Sequence, residues 1–503
     1  MPVVRAAALR GLKAFKDAFR ARAVLVGCLG SVLLVLGSLT PAYLPRVSPL
    51  TRAMASYGLA GVEWTWIGTI ITMAGLALML EFWLRVRLAR RESRGQPQLR
   101  HWAMLAIVAA PMLIAPPIFS HDAYSYAAQG WLLHNDLNPY LVGPGMLPGQ
   151  FADQVAWVWR DTPAPYGPLA LRLNHWLIVL VGFDPYWSTV IMRLPALIGV
   201  GMIGWCVPRI AGRFGISPAA ASWFVLANPI VIIDFVGGAH NDALMMGLAM
   251  MGIWITTKWR TWWWGAVAVG VGAAIKQPAV FVAVALPFIT LPWTSWKPRP
   301  LATAVSRAVA SLGISVGVFV VLSVVTGLGF GWVNAVDVPG KVTSASPFNL
   351  LGEAVEYFLN QFGIDQGGNA AVTAMRSLGL LVCAVGIVWL AVRHLGRRPL
   401  NFTGWGLLLS AFTLPALHSW YLLWGGVLFP MTRPSTRRLR VAIIISALLL
   451  AYEAMVFAVR NGTWLVALLL IWVVWESVKA HELTQKWDAG VTALNPQESL
   501  AGS

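Results

Sequence analysis

The chain has 503 residues, of which 58% are hydrophobic and only 11% charged, with a formal net charge of +17. Soluble domains carry roughly 25% charged residues, so this composition, with a mean hydropathy of +0.67, excludes one. The short alternating segments of a membrane β-barrel are also absent, which leaves an all-α polytopic membrane protein with membrane lipids as its surroundings and no nucleic acid as a partner.

In chain order, a basic N-terminus leads into apolar residues 23–43, which read as a retained signal anchor because no small-residue cleavage site is evident. Apolar segments then follow at 65–87, 102–118, 187–209, 219–236, 242–257, 262–276, 279–292, 303–327, 371–395, 402–417, 420–431, 441–459 and 462–478. Several fall short of the roughly 20 residues needed to cross hydrocarbon, and the short neighbouring pairs read as spans or as broken or re-entrant helices; about fourteen spans (13–15) are expected. The apolar stretch 173–183, beside the Pro-Tyr-Gly-Pro turn at 165–168, is read as interfacial. With both termini cytoplasmic, 28 of the 37 Lys and Arg residues fall in cytoplasmic loops, as the positive-inside rule requires. The expected organisation is one integral membrane domain over 1–503. Outer loops are expected at 119–186 and 328–370, and 479–503 form a cytoplasmic tail. Cys28, Cys206 and Cys383 all lie in apolar segments and imply no disulfide framework.

That topology puts every polar cluster on the extracytoplasmic face of the plasma membrane. FSHDAYSYAAQGWLLHNDLN (119–138) brings His121, Asp122, Tyr124, Tyr126 and Gln129 to a membrane exit. Asp122 there is a general base or, with Ser120, a helix N-cap; polar groups at such a depth are costly unless paired or used. WRDTPAPYGPL (159–169) supplies Arg160 beside Asp161, which suits a surface pair, and Tyr166 in a turn that shapes a cavity floor. In GGAHNDALMM (237–246), Asn241 or Asp242 reads as an N-cap, which leaves His240 for a phosphate or sugar contact. Lys276, next to Gln277 in IKQP, is a snorkelling lysine or a point charge for phosphate. His418, Trp420 and Tyr421 in HSWY are belt residues or cavity lining. No compact spacing of His and carboxylates suggests a metal, and no nucleotide-binding pattern occurs in the cytoplasmic loops.

An outer-face transferase has no nucleotide sugar to draw on, so its donor must be borne on a lipid. With a polyprenyl-phosphate sugar the leaving group is a weakly basic phosphate. The reaction then needs one carboxylate to take the acceptor proton and cations or donors for the phosphate; no cofactor is called for.

HDAYSYAAQG (121–130), DLNPY (136–140), DTPAPYGPL (161–169) and HND (240–242) together resemble the actinobacterial polyprenol-phosphomannose-dependent α-1,6-mannosyltransferases of the MptA and MptB types. The resemblance runs from the third segment to the last. It implies a GT-C membrane fold, with 102–478 as its core and 23–87 as an N-terminal addition, and Asp122 as catalytic base. Beside that, the residues themselves suggest His240, Lys276, His418 and Arg160 as donor phosphate or sugar contacts, and His121, Tyr124, Tyr126, Gln129, Asn241, Asp242, Tyr166, Gln277, Trp420 and Tyr421 as acceptor contacts or cavity lining. A decaprenyl-type phosphomannose donor follows, with a lipomannan or phosphatidylinositol-mannoside acceptor on the way to lipoarabinomannan. The implied reaction is metal-free and inverting, with elongation of the MptA type favoured over initiation of the MptB type. The family pattern has arginine ahead of the aspartate, where this chain has His121. The competing readings are another GT-C transferase, of arabinofuranose or of mannose to a different acceptor, and a lipid or sugar transporter. A transporter would show inverted repeats around a midplane site, and no clear repeat is visible.

Overall fold

The computed structural model describes residues 2–86, 99–335, 344–364 and 369–458. Among them the regular structure is helical and no strand occurs. The expected segment 462–478, the tail 479–503, and parts of loops 84–101 and 328–370 lie outside the described residues.

The helices that position the site, in chain order, are α1 (Arg22–Ser38), α2 (Val62–Arg85), α3 (Asp122–His134) and α4 (Pro168–Leu180). They continue with α5 (Pro185–Arg213), α6 (Pro218–Leu226), α7 (Asp242–Trp259) and α8 (Trp262–Ala273). Next come α9 (Pro298–Val325), α10 (Pro347–Gln361), α11 (Ala370–Leu390) and α12 (Pro399–Thr413). The last are the short α13 (Leu422–Gly426) and α14 (Thr436–Ala458).

The all-α expectation holds, but the count of about fourteen spans does not. Five described helices are long and apolar enough to cross a membrane, or seven if each of two bent pairs is one span. Proline and polar residues account for the difference. Segment 102–118 becomes a nine-residue helix, His101–Ala109, and a 3-10 turn containing Pro111. Segment 242–257 is an 18-residue helix with Asp242 and Lys258 inside it. Segment 262–276 closes after twelve residues, and 279–292 is cut at Pro278 and Pro287. Segment 402–417 stops two residues before Pro415, while 420–431 is five helical residues followed by a 3-10 turn at Pro430. Segment 219–236 is a pair bent by 58° at Pro229, where a missing N–H breaks the ladder and Asn228 Oδ1 accepts from Ile230 N instead. Residues 173–183, read as interfacial, fall largely in the 13-residue α4, short of a full crossing.

Small residues bring the inner helices together. Gly30 of α1 faces Gly75 of α2, Gly199 of α5 faces Gly247 of α7, and Gly252 of α7 faces Gly265 of α8, each backbone against backbone. Such contacts drive association where lipid removes the hydrophobic difference between buried and exposed. By contrast, α9 and α11 present exposed Val321, Val324, Leu381 and Val388, apolar faces suited to acyl chains. Arg193, at the α5 kink, is 2% exposed. Its guanidinium donates to the carbonyls of Pro116, Val236 and Gly237, which fastens together the two strands of chain leading into 119–122 and 239–242.

Candidate active site

Two left-handed residues mark those two entries: Phe119 at φ 54° and Ala239 at φ 58°. Non-glycine residues rarely adopt this conformation, and it is retained where surrounding structure overdetermines it. Each turns the chain sharply, so Asp122 and His240 face one another, with His240 Nδ1 3.6 Å from Asp122 Oδ2.

Asp122 starts α3 but caps nothing with its side chain; its N–H donates to Ser120 Oγ at 3.1 Å. The carboxylate accepts instead from the Tyr166 hydroxyl at 3.2 Å and the Tyr126 hydroxyl at 3.4 Å. The two phenol rings meet edge to face at 5.0 Å. Tyr166 reaches this position because the 165–168 turn is laced to the end of α8. Gly167 N donates to Ile275 O and Leu169 N to Ala274 O, Gln277 Nε2 donates to Pro165 O, and the Tyr140 hydroxyl holds Tyr166 O at 2.8 Å. A Cβ at Gly167 would lie 2.2 Å from Ala274 O, so only glycine allows this approach. Burial pushes the Asp122 carboxyl above its ordinary range, against the pull of Lys276 and His418. Its side chain is still 17% exposed, which leaves the carboxylate reachable.

His240 is fully buried, and neither ring nitrogen has a hydrogen-bond partner. It stacks on Trp420 at 3.7 Å, and His418 stacks on the same indole at 4.5 Å. Burial first, then Lys276 and His418, hold His240 well below the ordinary histidine range, so the imidazole is neutral at pH 7. His418 is anchored through Nδ1 to Glu453 Oε1 of α14 at 3.0 Å. The neighbouring Ser419 hydroxyl donates to Asp234 at 2.5 Å.

Asp242 is buried, but committed. Both its oxygens accept from Lys276 Nζ, at 3.0 and 2.8 Å, and Oδ1 also accepts from Trp424 Nε1 at 2.7 Å. Burial is the largest single influence and works against the Lys276 charge, but Asp242, Tyr421 and Asp122 together outweigh it and lift the ammonium above its ordinary value. Tyr421, Trp424 and Tyr166 turn their rings toward the ammonium, at 4.8, 5.7 and 5.8 Å. Neither Asn241 nor Asp242 caps α7 with its side chain, and the Asn241 amide is buried without a partner.

The structure therefore gathers Asp122, Tyr126, Tyr166, His240, Asp242, Lys276, His418, Trp420 and Tyr421, with Gln277 behind the turn. His121 points elsewhere: its Nε2 meets Tyr43 O at 2.9 Å and its ring packs on Tyr124 and Phe457. Gln129 is buried with Oε1 unpartnered. Arg160 stands apart and exposed, paired with Asp153 at 3.3 Å, not with its neighbour Asp161. Two residues here escape the sequence reading. Glu453 lies in the apolar run AYEAMV, where an acid at membrane depth is itself the signal; Trp424 carries no mark among 27 tryptophans. Among the described residues no three His, Cys, Asp or Glu side chains form a group fit for a metal ion.

Residues 24–295 match the family model described as alpha-(1->6)-mannopyranosyltransferase, N-terminal domain, and residues 349–480 match the MptB C-terminal domain. The chain is 31% identical over 413 residues to alpha-(1->6)-mannopyranosyltransferase A of Mycobacterium tuberculosis, covering 79% of this chain and 78% of that one. It is 32% identical to a probable alpha-(1->6)-mannopyranosyltransferase of Mycolicibacterium smegmatis, covering 84% and 81%. It is 25% identical to alpha-(1->6)-mannopyranosyltransferase B of Corynebacterium glutamicum, covering 80% and 71%. No solved structure matches the chain. The chain belongs to the MptA/MptB mannosyltransferase family and is an enzyme, a glycosyltransferase.

Proposed function

We propose that this enzyme moves mannose from a decaprenyl-type phosphomannose to a growing α-1,6-mannan on a phosphatidylinositol-mannoside or lipomannan acceptor. The transfer takes place at the outer face of the plasma membrane. The observation that carries this reading is Asp122: a carboxylate held by two phenols, reachable, with burial raising its basicity.

In this reading Asp122 takes the proton of the acceptor 6-hydroxyl as its oxygen attacks C1 of the mannose. The C1–O bond to phosphate breaks on the opposite side, and polyprenyl phosphate leaves with the electron pair. Inversion converts a β-linked donor into an α-linked product without an enzyme nucleophile. The Tyr126 and Tyr166 hydroxyls fix the carboxylate and stabilise its charged form. On the phosphate side, Lys276 is steadied by Asp242 and the rings of Tyr421 and Trp424. The neutral His240 donates one N–H there, and His418, anchored through Nδ1, offers Nε2. Developing charge on the leaving oxygen is met by donors already in position. Arg160, exposed and paired, takes no part. The outward sidedness is part of this proposal: an outer site has only lipid-borne donors to draw on, and the polar clusters at Asp122, His240, Lys276 and His418 come together at one site.

The test is transfer by the purified chain from synthetic polyprenyl-phosphomannose to a short α-1,6-mannoside, with linkage analysis of the product. An added α-1,6-linked mannose is expected. Transfer only from a nucleotide sugar, or a different linkage, contradicts the proposal.

A further inference from the structure

At the other end of α14 lies a cavity of about 1650 Å³, unrelated to the chemistry above. Arg438, on its rim, precedes Glu453 by fifteen residues of continuous helix, about 22 Å at 1.5 Å per residue. The α13 turn separates the two places: Leu422 and Leu423 face the cavity, while Tyr421 and Trp424 face Lys276.

The lining has two parts. Arg393, Arg397, Arg398, Arg433, Arg437 and Arg438 are its cationic part. Phe224, Leu409, Phe412 and Ile445, with Trp405 beneath Arg438, are its apolar part. None of the described lining residues is acidic, and among the described residues none of the six arginines pairs with a carboxylate. Arg433 donates to Phe214 O and Arg438 lies over the Trp405 ring; the rim is otherwise cationic surface. Topology asks for basic residues at this end of the molecule. It does not ask that they line a cavity that also carries apolar side chains.

We propose that this cavity is a binding site for a phosphate-bearing membrane lipid, separate from the donor and acceptor sites. The lipid's phosphate sits among the guanidiniums, and the first part of its acyl chains lies along the Phe412–Ile445 wall. Guanidinium forks suit phosphate oxygens, and an apolar wall beside them suits only an amphiphile, which a free anion is not.

The full chain is to be placed in nanodiscs of equal parts phosphatidylglycerol and phosphatidylcholine, released into detergent, and its retained lipid read by native mass spectrometry. One phosphatidylglycerol retained in preference to phosphatidylcholine, and not displaced by inorganic phosphate, is the expected result. The variant Arg397→Gln/Arg398→Gln/Arg438→Gln, all exposed positions, is expected to bind it at least about tenfold more weakly. Val441→Trp narrows the cavity without changing charge and is expected to weaken retention as well. Equal retention of both lipids, or no effect of the arginine triple, overturns the site. Displacement by inorganic phosphate, or indifference to Val441→Trp, overturns the lipid occupant and leaves only a cationic surface.

Discussion

Asp122 and Asp242 have much in common. Each begins a helix, each follows a left-handed residue by three positions, and each lies within reach of the same aromatic cluster. Their partners differ. Asp242 spends both oxygens on Lys276 and Trp424, a buried ion pair whose members hold each other in place. Asp122 is in direct contact with only two neutral phenols and, at 3.6 Å, a neutral imidazole; Lys276 and His418 pull on it from further off, and burial outweighs them. A carboxylate neutralised by an ammonium is a poor proton acceptor, whereas one raised by burial and left unneutralised is a good one. Proximity to the site is common to both; the proposed base is the one with no ammonium in direct contact.

The sharpest way to break this contrast is Asp122→Asn. The amide keeps the shape but cannot accept a proton, and kcat is expected to fall by about 10²–10⁴, with an unchanged thermal unfolding curve in detergent. Asp242→Asn is expected to fail differently, because it leaves a buried ammonium unpaired. That costs about 3–5 kcal/mol of stability, seen as a lower melting temperature, and Asp242→Asn/Lys276→Met recovers most of the loss. If Asp242→Asn melts like the wild type, the ion pair is not structural.

How much of this was legible in the sequence follows the same line. Asp122, Tyr126 and Tyr166 sit in motif strings whose residue types suit base chemistry, and the structure brings them together. The state of Lys276 was not legible, because its counter-ion lies 34 residues away and only the fold sets them 2.8 Å apart. Glu453, the partner of His418, is hidden for the same reason at a separation of 35. Arg160 reads in the sequence as a surface pair or a donor contact; the pair it makes is with Asp153, seven residues back, and not with the adjacent Asp161. The span count failed because apolar composition does not register the prolines at 111, 229, 278, 287, 415 and 430, which cut apolar runs into pieces too short to cross.

A smaller effect sharpens the contrast. The Tyr166 hydroxyl pulls the Asp122 pKa down against burial. Tyr166→Phe therefore removes a stabiliser of the charged form and raises that pKa further. Activity requires the ionised carboxylate and is lost as pH falls through its pKa, which in the wild type lies above the ordinary carboxylate range. In Tyr166→Phe this acidic limb is expected at still higher pH, with kcat at its plateau lowered several-fold, or about 1 kcal/mol. An unmoved limb in the pH–rate profile would separate Tyr166 from the base. Smallest of all, Arg160→Ala is expected to leave kcat and the donor KM unchanged, since its pair with Asp153 is exposed and worth about 0–1 kcal/mol.

The most direct measurement sets the two aspartates side by side. Single-turnover transfer from saturating polyprenyl-phosphomannose is followed in Asp122→Asn and in Asp242→Asn/Lys276→Met, with donor binding measured separately for each. The account predicts that Asp122→Asn binds donor and does not transfer, while the double variant transfers to a degree set by its weaker hold on the phosphate. Transfer at near wild-type rate by Asp122→Asn, with the chemical step lost in the double variant, would contradict it and move the base to Asp242.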